Sequence, residues 1–454
     1  MGFRSIVKKI VPTNLFRDIE PYGHWGEAII ENVLFGFPSK GLKVIGVTGT
    51  DGKTTTCTLI TQMLRSNGYK VAMLTTISVD YGDGPQPNPT RLTTMGSLQL
   101  IKQLKKIKQS GVEWLVLETT SHALAQHRVW GVPYSVAVLT NLSHEHLDYH
   151  GTFERYRDAK KMLFTQTNAN KKGLRVGIAN ADDPNGEVFA SAVAHPIRYG
   201  VKAGDLKAEN VKLTPAGSRY TAKIDGDEYR IECHLPGSFN VYNSLAAVAV
   251  GRAVGLNKDQ IEQGIASLTA VEGRMTRVDE GQDFDVIVDY AHTPDSFEKI
   301  FNEVKPLAKG RIIALFGSAG RRDETKRVAQ GEIAGKYCDI VIATEEDDRD
   351  IDGQEILNQI AEGAEKAGKV RDKDLFLIHD RPEAIQAAVD MAQPGDLLIL
   401  LGKGHEKSIL SNGPQAAELR HLPQDDTDPR RVIKNNFDEV TSVRDALKKR
   451  LGKA

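Results

Sequence analysis

The stretch LKVIGVTGTDGKTTT, residues 42–56, reads as a single event: an apolar β-branched strand runs into a glycine-rich turn, and a helix opens at Lys53. Strand, tight turn and helix in that order are the setting that a phosphate-binding loop needs. The spacing is more compact than the full Walker pattern, which places four residues between its glycines. In Gly49-Thr50-Asp51-Gly52-Lys53-Thr54-Thr55 the glycines let backbone N–H groups approach phosphate oxygens, and the helix N-terminus adds positive potential. Lys53 is placed to neutralise β- and γ-phosphate charge, and the Thr54 hydroxyl to ligate Mg²⁺. A turn that merely needs glycine is the competing reading, and Gly-Lys-Thr-Thr in succession weighs against it. The loop predicts an ATP site.

Outward from this loop, short apolar runs alternate with helical stretches: YKVAMLTT (69–76), VEWLVLETT (112–120) and YSVAVLTNL (134–142). Such alternation signals βαβ units and a parallel sheet with its chemistry at the strands' carboxyl ends. SRYTAKIDGDEYRIEC (218–233) instead predicts a hairpin about Asp225-Gly226. NVYNSLAAVAVGRAVG (240–255) predicts a helix with Asn240 as N-cap and Gly255 as stop. A second βα series follows, with strands at 285–290, 311–317, 339–344, 375–379 and 396–402. The expected fold is α/β: a central phosphate-loop domain over 41–270 and a Rossmann-like, doubly wound domain over 271–454, preceded by a short helical segment, 1–40.

Composition sets the outer limits. The 454 residues are enough for two or three domains, and 40% hydrophobic with 26% charged residues suits a soluble globular chain. Lys plus Arg (59) balances Asp plus Glu (60), which argues against bulk binding to nucleic acid or anionic membrane and leaves room for local patches. Three cysteines without close spacing offer neither a disulfide framework nor a zinc site, so a reducing cytoplasm is expected. No apolar run approaches the length of a membrane span, and the N-terminus lacks a signal-peptide pattern.

Further motifs carry a resemblance. LETTSHALAQHRV (117–129), NLSHEHLDYHGTFERYRDAKKMLF (141–164), GRMTRVD (273–279), VDYAHTPDS (288–296), FGSAGRRDETKR (316–327) and GKGHE (402–406) follow GTDGKTT in order. Together they resemble the Mur ligases, and among them the branch that adds the third peptide residue to UDP-N-acetylmuramoyl-L-alanyl-D-glutamate. The resemblance spans about residues 41–410. It implies an ATP-dependent acid–amino-acid ligase of peptidoglycan precursor synthesis, working on small-molecule substrates through an acyl phosphate and as a monomer.

The resemblance also assigns roles. Glu118 and His146 become Mg²⁺ ligands, with Thr54, and Lys160 is expected to be carbamylated to support a second Mg²⁺. From the residues alone, Glu118 is a strand-end carboxylate that needs a partner, and Lys160 reads as a lysine snorkelling to water. Thr93, Thr94, Thr120, Gln126 and Arg128 match contacts to the uridine-linked peptide; Asn243 matches a contact to adenine, and Arg274, Asp289 and His292 match the nucleotide face of the C-terminal domain. Tyr290 and Pro294 are weighed evenly between function and packing.

For the incoming amino acid, Arg322, Arg349, Gly402 and Glu406 match family contacts. Arg349 ends Glu346-Asp347-Asp348-Arg349, where diaminopimelate-adding relatives show Asp-Asn-Pro-Arg. Its guanidinium suits a distal carboxylate, whereas the surrounding acids can pair with it internally or favour the amine of lysine; a solvated loop is the plain alternative. Diaminopimelate is preferred. About 40 residues precede the loop strand, too few for the uridine-binding domain of relatives, so fewer contacts to uridine or a smaller or lipid-linked acceptor are expected. Residues 1–36 mix basic and apolar groups, for which a helix packed on the ATPase domain is preferred over a membrane-surface helix. Rival functions are a plain nucleotide hydrolase or kinase, a nucleotide-binding scaffold of wall assembly, and a folylpolyglutamate-type ligase.

Overall fold

A computed structural model of the chain describes residues 13–88, 93–143, 147–214, 216–421, 424 and 426–453. They gather into two compact units. One comprises residues up to 269, and the other comprises 270–454 with the short pieces 214–216 and 235–237.

The first unit opens with helix α1 (Thr13–Leu34), followed by β1 (Lys43–Thr48) and α2 (Lys53–Ser66). Strands β2 (Val71–Leu74), β3 (Ser78–Asp80) and β4 (Pro85–Pro87) precede α3 (Ser97–Gln109), β5 (Trp114–Glu118), the short α4 (Ser121–Ala125) and β6 (Tyr134–Leu139). Then come α5 (Phe153–Ala169), β7 (Val176–Asn180), β8 (His195–Gly200), β9 (Leu206–Thr214), β10 (Gly217–Ile224), β11 (Asp227–Cys233), α6 (Phe239–Ala253) and α7 (Lys258–Ala266). All eleven strands form one sheet in the order β11-β10-β9-β8-β7-β6-β1-β5-β2-β3-β4. β1 pairs in parallel with both β5 and β6. The chain runs from β1 to one side through β2 and back to β5, then crosses to β6 and onward, so its direction reverses about β1. A crevice opens at the carboxyl end of such a strand, and the glycine loop leaves β1 there.

Residue character explains the layers. β1, β5 and β6 are apolar on both faces because helices cover both sides, and Val44, Leu115, Ala137, Leu163 and Phe164 share one core. Asp225 and Gly226, with φ of 51° and 87°, join β10 to β11 in the expected hairpin. Asn240 is not the N-cap expected of it. Helix α6 starts at Phe239 with Ser238 as N-cap, two residues earlier than expected, and the Asn240 side chain instead accepts a hydrogen bond from Asn243 Nδ2 at 2.9 Å.

The second unit contains β12 (Thr276–Arg277), β13 (Asp285–Asp289), α8 (Pro294–Val304), β14 (Ile312–Phe316), α9 (Thr325–Tyr337), β15 (Ile340–Ala343), α10 (Gly353–Lys366), β16 (Leu375–Leu377), α11 (Arg381–Met391) and β17 (Leu397–Leu401). A β18 (Ser408–Asn412) and β19 (Val432–Asn436) hairpin and α12 (Glu439–Arg450) complete it. The sheet order is β12-β13-β17-β14-β15-β16, parallel apart from the edge strand β12. β17 returns between β13 and β14, the signature of a doubly wound sheet. The fold is therefore α/β with a phosphate-loop unit and a Rossmann-like unit. Among the described residues no helix is long and apolar enough to cross a membrane.

Candidate active site

The first unit holds its loop rigidly. Val44, Ile45 and Val47 are fully buried, and the chain then turns at Gly49 (φ 151°) and Gly52 (φ 78°). A Cβ on Gly49 would lie 1.8 Å from Thr140 Oγ1, and one on Gly52 2.4 Å from Asn243 Oδ1, so both positions exclude any side chain. The Thr50 and Asp51 N–H groups donate to Asn141 O and Oδ1, each at 2.9 Å, while the Thr140 hydroxyl donates to Asp51 O at 2.6 Å. Gly52 is the N-cap of α2 and gives no side-chain cap, so the first-turn N–H groups suit an anion. Lys53 Nζ donates to Thr50 O at 2.7 Å, folding back over the loop.

Beside the loop lies a buried carboxylate with neutral partners. Glu118, at the end of β5 and 1% exposed, accepts hydrogen bonds from Thr54 Oγ1 (2.8 Å), Thr76 N (3.1 Å) and Thr76 Oγ1 (3.1 Å). Hydroxyl and amide donors cannot cancel a buried negative charge, so the donor set fits a hard cation such as Mg²⁺. The network extends to the predicted substrate threonines. Thr76 Oγ1 meets Thr93 Oγ1 at 2.9 Å; Thr94 Oγ1 donates to Glu118 O at 3.1 Å and meets Thr120 Oγ1 at 3.2 Å; Arg128 donates to Thr94 O at 3.2 Å. Gln126 is 7% exposed and its Oε1 has no hydrogen-bond partner among the described residues, leaving an acceptor for a ligand.

Lys160 does not snorkel. It is 2% exposed in α5, its ammonium donates to Gly49 O at 2.6 Å, and it lies 4.7 Å from the Tyr156 ring centre. Tyr156 in turn hydrogen-bonds the Thr50 hydroxyl at 3.0 Å, so α5 grips the loop from beneath. Asn243 faces the same loop with its amide engaged, accepting from Thr56 Oγ1 at 3.3 Å and donating to Asn240. His146 lies outside the described residues.

In the second unit the predicted residues also sit at strand ends. Asp289, at the end of β13, accepts N–H bonds from Met275 (2.7 Å) and Ala291 (2.8 Å), and burial raises its carboxyl against the pull of Arg274. Tyr290 is the packing centre that gathers the others: Arg274 lies 5.1 Å over its ring, with His292 and His405 at 4.8 and 4.7 Å. Pro294 opens α8 behind a Thr293/Ser296 capping box. Arg322 is exposed on the turn before α9, whereas its neighbour Arg321 grips Asp350 with bonds of 2.7 and 2.9 Å. Arg431 joins them at 2.5 Å. Burial raises the Asp350 carboxyl, but the hydrogen bonds from Arg321 and Arg431 outweigh it and bring it down to about 2.

The acidic loop after β15 is not a solvated one. Glu346, Asp347, Asp348, Arg349 and Asp350 are all between 1% and 7% exposed. Arg349 pairs internally: it donates to Gly320 O (2.9 Å) and Asp426 Oδ2 (3.2 Å) and stands 3.6 Å from the Asp347 carboxylate. Lys403, fully buried, bridges Asp347 Oδ1 (3.0 Å) and Glu406 Oε2 (2.5 Å). Gly402 (φ 103°) lies against Glu346, whose Oε2 a Cβ there would approach to 2.8 Å. That oxygen has no hydrogen-bond partner among the described residues, and burial raises the Glu346 carboxyl.

Known proteins place this arrangement. The Mur ligase middle domain matches residues 47–251, and the glutamate ligase domain of Mur ligases matches 273–404. The chain belongs to the Mur ligase family. A UDP-N-acetylmuramyl-tripeptide synthetase of Roseiflexus sp. (strain RS-1) is 41% identical over 388 residues, 83% of this chain and 76% of the relative. A UDP-N-acetylmuramoyl-L-alanyl-D-glutamate–2,6-diaminopimelate ligase of Geobacillus thermodenitrificans (strain NG80-2) is 41% identical over 383 residues, 84% and 77% of the two chains. A solved structure of a UDP-N-acetylmuramoyl-L-alanyl-D-glutamate–2,6-diaminopimelate ligase superposes with a TM-score of 0.63 at 29% identity, covering 91% of this chain and 79% of that one. This Mur ligase is accordingly an ATP-dependent enzyme that forms carbon–nitrogen bonds.

Sequence reading passed over three residues of this Mur ligase. Thr76 ends a strand as an ordinary threonine, Lys403 lies inside the quoted GKGHE motif, and Glu346 looked like one acid among several. Only the two strand-end positions, Thr76 and Glu346, carried a signal, since doubly wound sheets place chemistry there.

Proposed function

We propose that this Mur ligase joins meso-diaminopimelate to the D-glutamate carboxyl of a UDP-N-acetylmuramoyl-dipeptide-like acceptor, as a cytoplasmic monomer in peptidoglycan precursor synthesis. The observation that carries the reading is the convergence on one loop of Lys53, the Thr54–Glu118 pair and the buried Lys160. Similarity to diaminopimelate ligases over more than four-fifths of the chain supports the substrates. ATP gives its terminal phosphoryl group to the acceptor carboxylate, and the amine of the amino acid then displaces phosphate. Thr54 and Glu118 would hold Mg²⁺, and Lys160, as a carbamate, a second ion; when bound, these ions neutralise phosphoryl charge. Lys53 and the α2 N-terminus bind the phosphates, whereas Thr93, Thr94, Thr120, Gln126 and Arg128 orient the acceptor. Arg274, Asp289 and His292 serve the nucleotide, and Arg322, Arg349, Gly402 and Glu406 serve the amino acid.

The internal pairing of Arg349 and the unpartnered Glu346 oxygen favour a second reading, in which the amine of lysine is selected. Supplying ATP, the UDP-linked dipeptide and radiolabelled diaminopimelate, lysine or glutamate separates the cases. Capture of diaminopimelate supports the proposal, capture of lysine the second reading, and ATP turnover indifferent to all three removes both.

A further inference from the structure

The second unit brings a histidine and two carboxylates together at strand ends, and the ligase reading gives none of the three a role. Strands β15 and β16 are parallel neighbours, with Ala343 beside Leu377. The pairing continues past both strands: Ile378 N donates to Ala343 O at 3.0 Å, and Glu345 N to His379 O at 3.1 Å. Glu345 and His379 therefore stand side by side at the carboxyl end of the sheet, where doubly wound folds bind their ligands. The loop beyond β15 brings Asp348 to them, and its Oδ2 meets His379 Nε2 at 2.6 Å. One ligand atom from each of Glu345, Asp348 and His379 lies within 4.8 Å of the other two. Gly353, the first residue of α10, packs on the pair. A Cβ there would stand 2.0 Å from His379 Nε2 and 2.4 Å from Asp348 Oδ2, so any side chain at 353 would displace it.

The charge around this cluster is one-sided. The groups that act on His379 are Asp348, Glu345 and Asp380, all of them acids. Asp380 is committed elsewhere, because its side chain caps α11 by accepting from Glu383 N at 2.9 Å. Asp348 is 1% exposed, and its Oδ1 has no hydrogen-bond partner among the described residues. Beyond its contact with His379, this buried carboxylate is therefore unsatisfied, a costly state unless a cation joins it. Arg327 lies within electrostatic reach of Asp348, yet its guanidinium bonds Gln359 Oε1 at 2.6 Å and Ala319 O at 3.4 Å. The Arg381 guanidinium, beside Glu345 in the fold, is spent on Glu439 and two backbone carbonyls, and only its backbone N–H reaches Glu345 Oε1, at 3.4 Å. His379 is half-exposed, which gives the cluster access from solvent.

We propose that Glu345, Asp348 and His379 form a binding site for a divalent transition-metal ion. One imidazole nitrogen with two carboxylate oxygens suits zinc and its neighbours, whereas Mg²⁺ and Ca²⁺ take oxygen ligands. Ligands of one such ion stand about 3–3.5 Å apart, so the contact between Asp348 and His379 opens by less than about 1 Å and the ion replaces the proton they share. Water completes the coordination on the open side. The bound ion ties the ends of β15 and β16 to the loop that leads into α10. Glu346 and Arg349 lie in that loop, but the proposal does not rest on the role of either in ligation.

The full chain is tested by equilibrium dialysis against Zn²⁺ in buffer with excess Mg²⁺, which competes for sites built of oxygen alone. The parent is expected to retain zinc, and His379→Gln, Glu345→Gln and Asp348→Asn each to weaken that binding at least roughly tenfold with circular dichroism unchanged. Glu118→Gln, beside the glycine loop, should retain zinc as the parent does. His379→Gln and Glu345→Gln alter partly exposed side chains and decide the case if the buried Asp348→Asn fails to fold. A parent that retains no zinc, a folded variant of the three that holds it as the parent does, or its loss in Glu118→Gln overturns the proposal. The amino-acid capture assay tests the ligase reading separately.

Discussion

The strand ends of the two units treat charge in opposite ways. Around the glycine loop, Glu118 is held by hydroxyl and amide donors, while Lys53 and Lys160 donate to the carbonyls of Thr50 and Gly49. Glu118 and Lys53 there meet neutral partners among the described residues, a setting that suits ions and phosphates. At the strand ends of the second unit, Arg321, Arg349, Arg431 and Lys403 are tied to Asp347, Asp350, Asp426 and Glu406, and Glu346 and Asp289 are exceptions. Cancelled charges build a stiff wall, uncancelled ones a binding site. Buried polar residues therefore read as function only after their partners are counted.

The largest effect should come from breaking a cancelled pair. Arg381 and Glu439 are fully buried and joined by two bonds of 2.8 and 2.7 Å, so Glu439→Gln strands a guanidinium and should cost about 3–5 kcal/mol in urea unfolding of the second unit. A loss below about 1 kcal/mol would show that the wall is not held by its pairs. On the other side of the contrast, Glu118→Gln and Lys160→Ala should each slow ligation roughly 10²–10³-fold with circular dichroism and melting nearly unchanged. Unchanged rates would mean that these charges are structural too.

A smaller effect lies in acid. The Asp350 carboxyl falls from 3.8 to about 2 on folding, so its stabilisation is complete above the unfolded value and disappears as pH drops from about 4 to about 2. It amounts to about 2 kcal/mol, and Asp350→Asn should flatten that part of a stability-versus-pH curve. The smallest change is expected for selectivity. Arg349→Lys loses the fork but keeps the charge, and the ratio of diaminopimelate to lysine captured should fall roughly threefold if the guanidinium serves the amino acid as proposed. An unchanged ratio would leave Arg349 to the wall alone.

Local pattern made most of the architecture legible. The strand–glycine–helix order at 42–56 and the five apolar runs after residue 284 required both sheets. The Asp225-Gly226 turn was equally plain, since positive φ at two successive residues is something few other pairs accept. Pairing was harder. Whether Arg349 faces a ligand or Asp426 depends on a residue 77 positions away. The burial of Lys160 depends on the contact of α5 with Gly49, 111 positions away, so periodicity alone described it as an exposed lysine. The start of α6 was misplaced by one turn chemistry against another, a side-chain cap expected where none is made.

The division of the chain into two units has a practical corollary. The chain has three tryptophans, Trp25, Trp114 and Trp130, and all three belong to the first unit. Tryptophan emission, excited at wavelengths that tyrosine does not absorb, therefore watches that unit alone during heating or urea titration, and the other unit melts in the dark. Calorimetry records both, and any gap between the optical and the thermal midpoint measures directly how independently the two halves come apart.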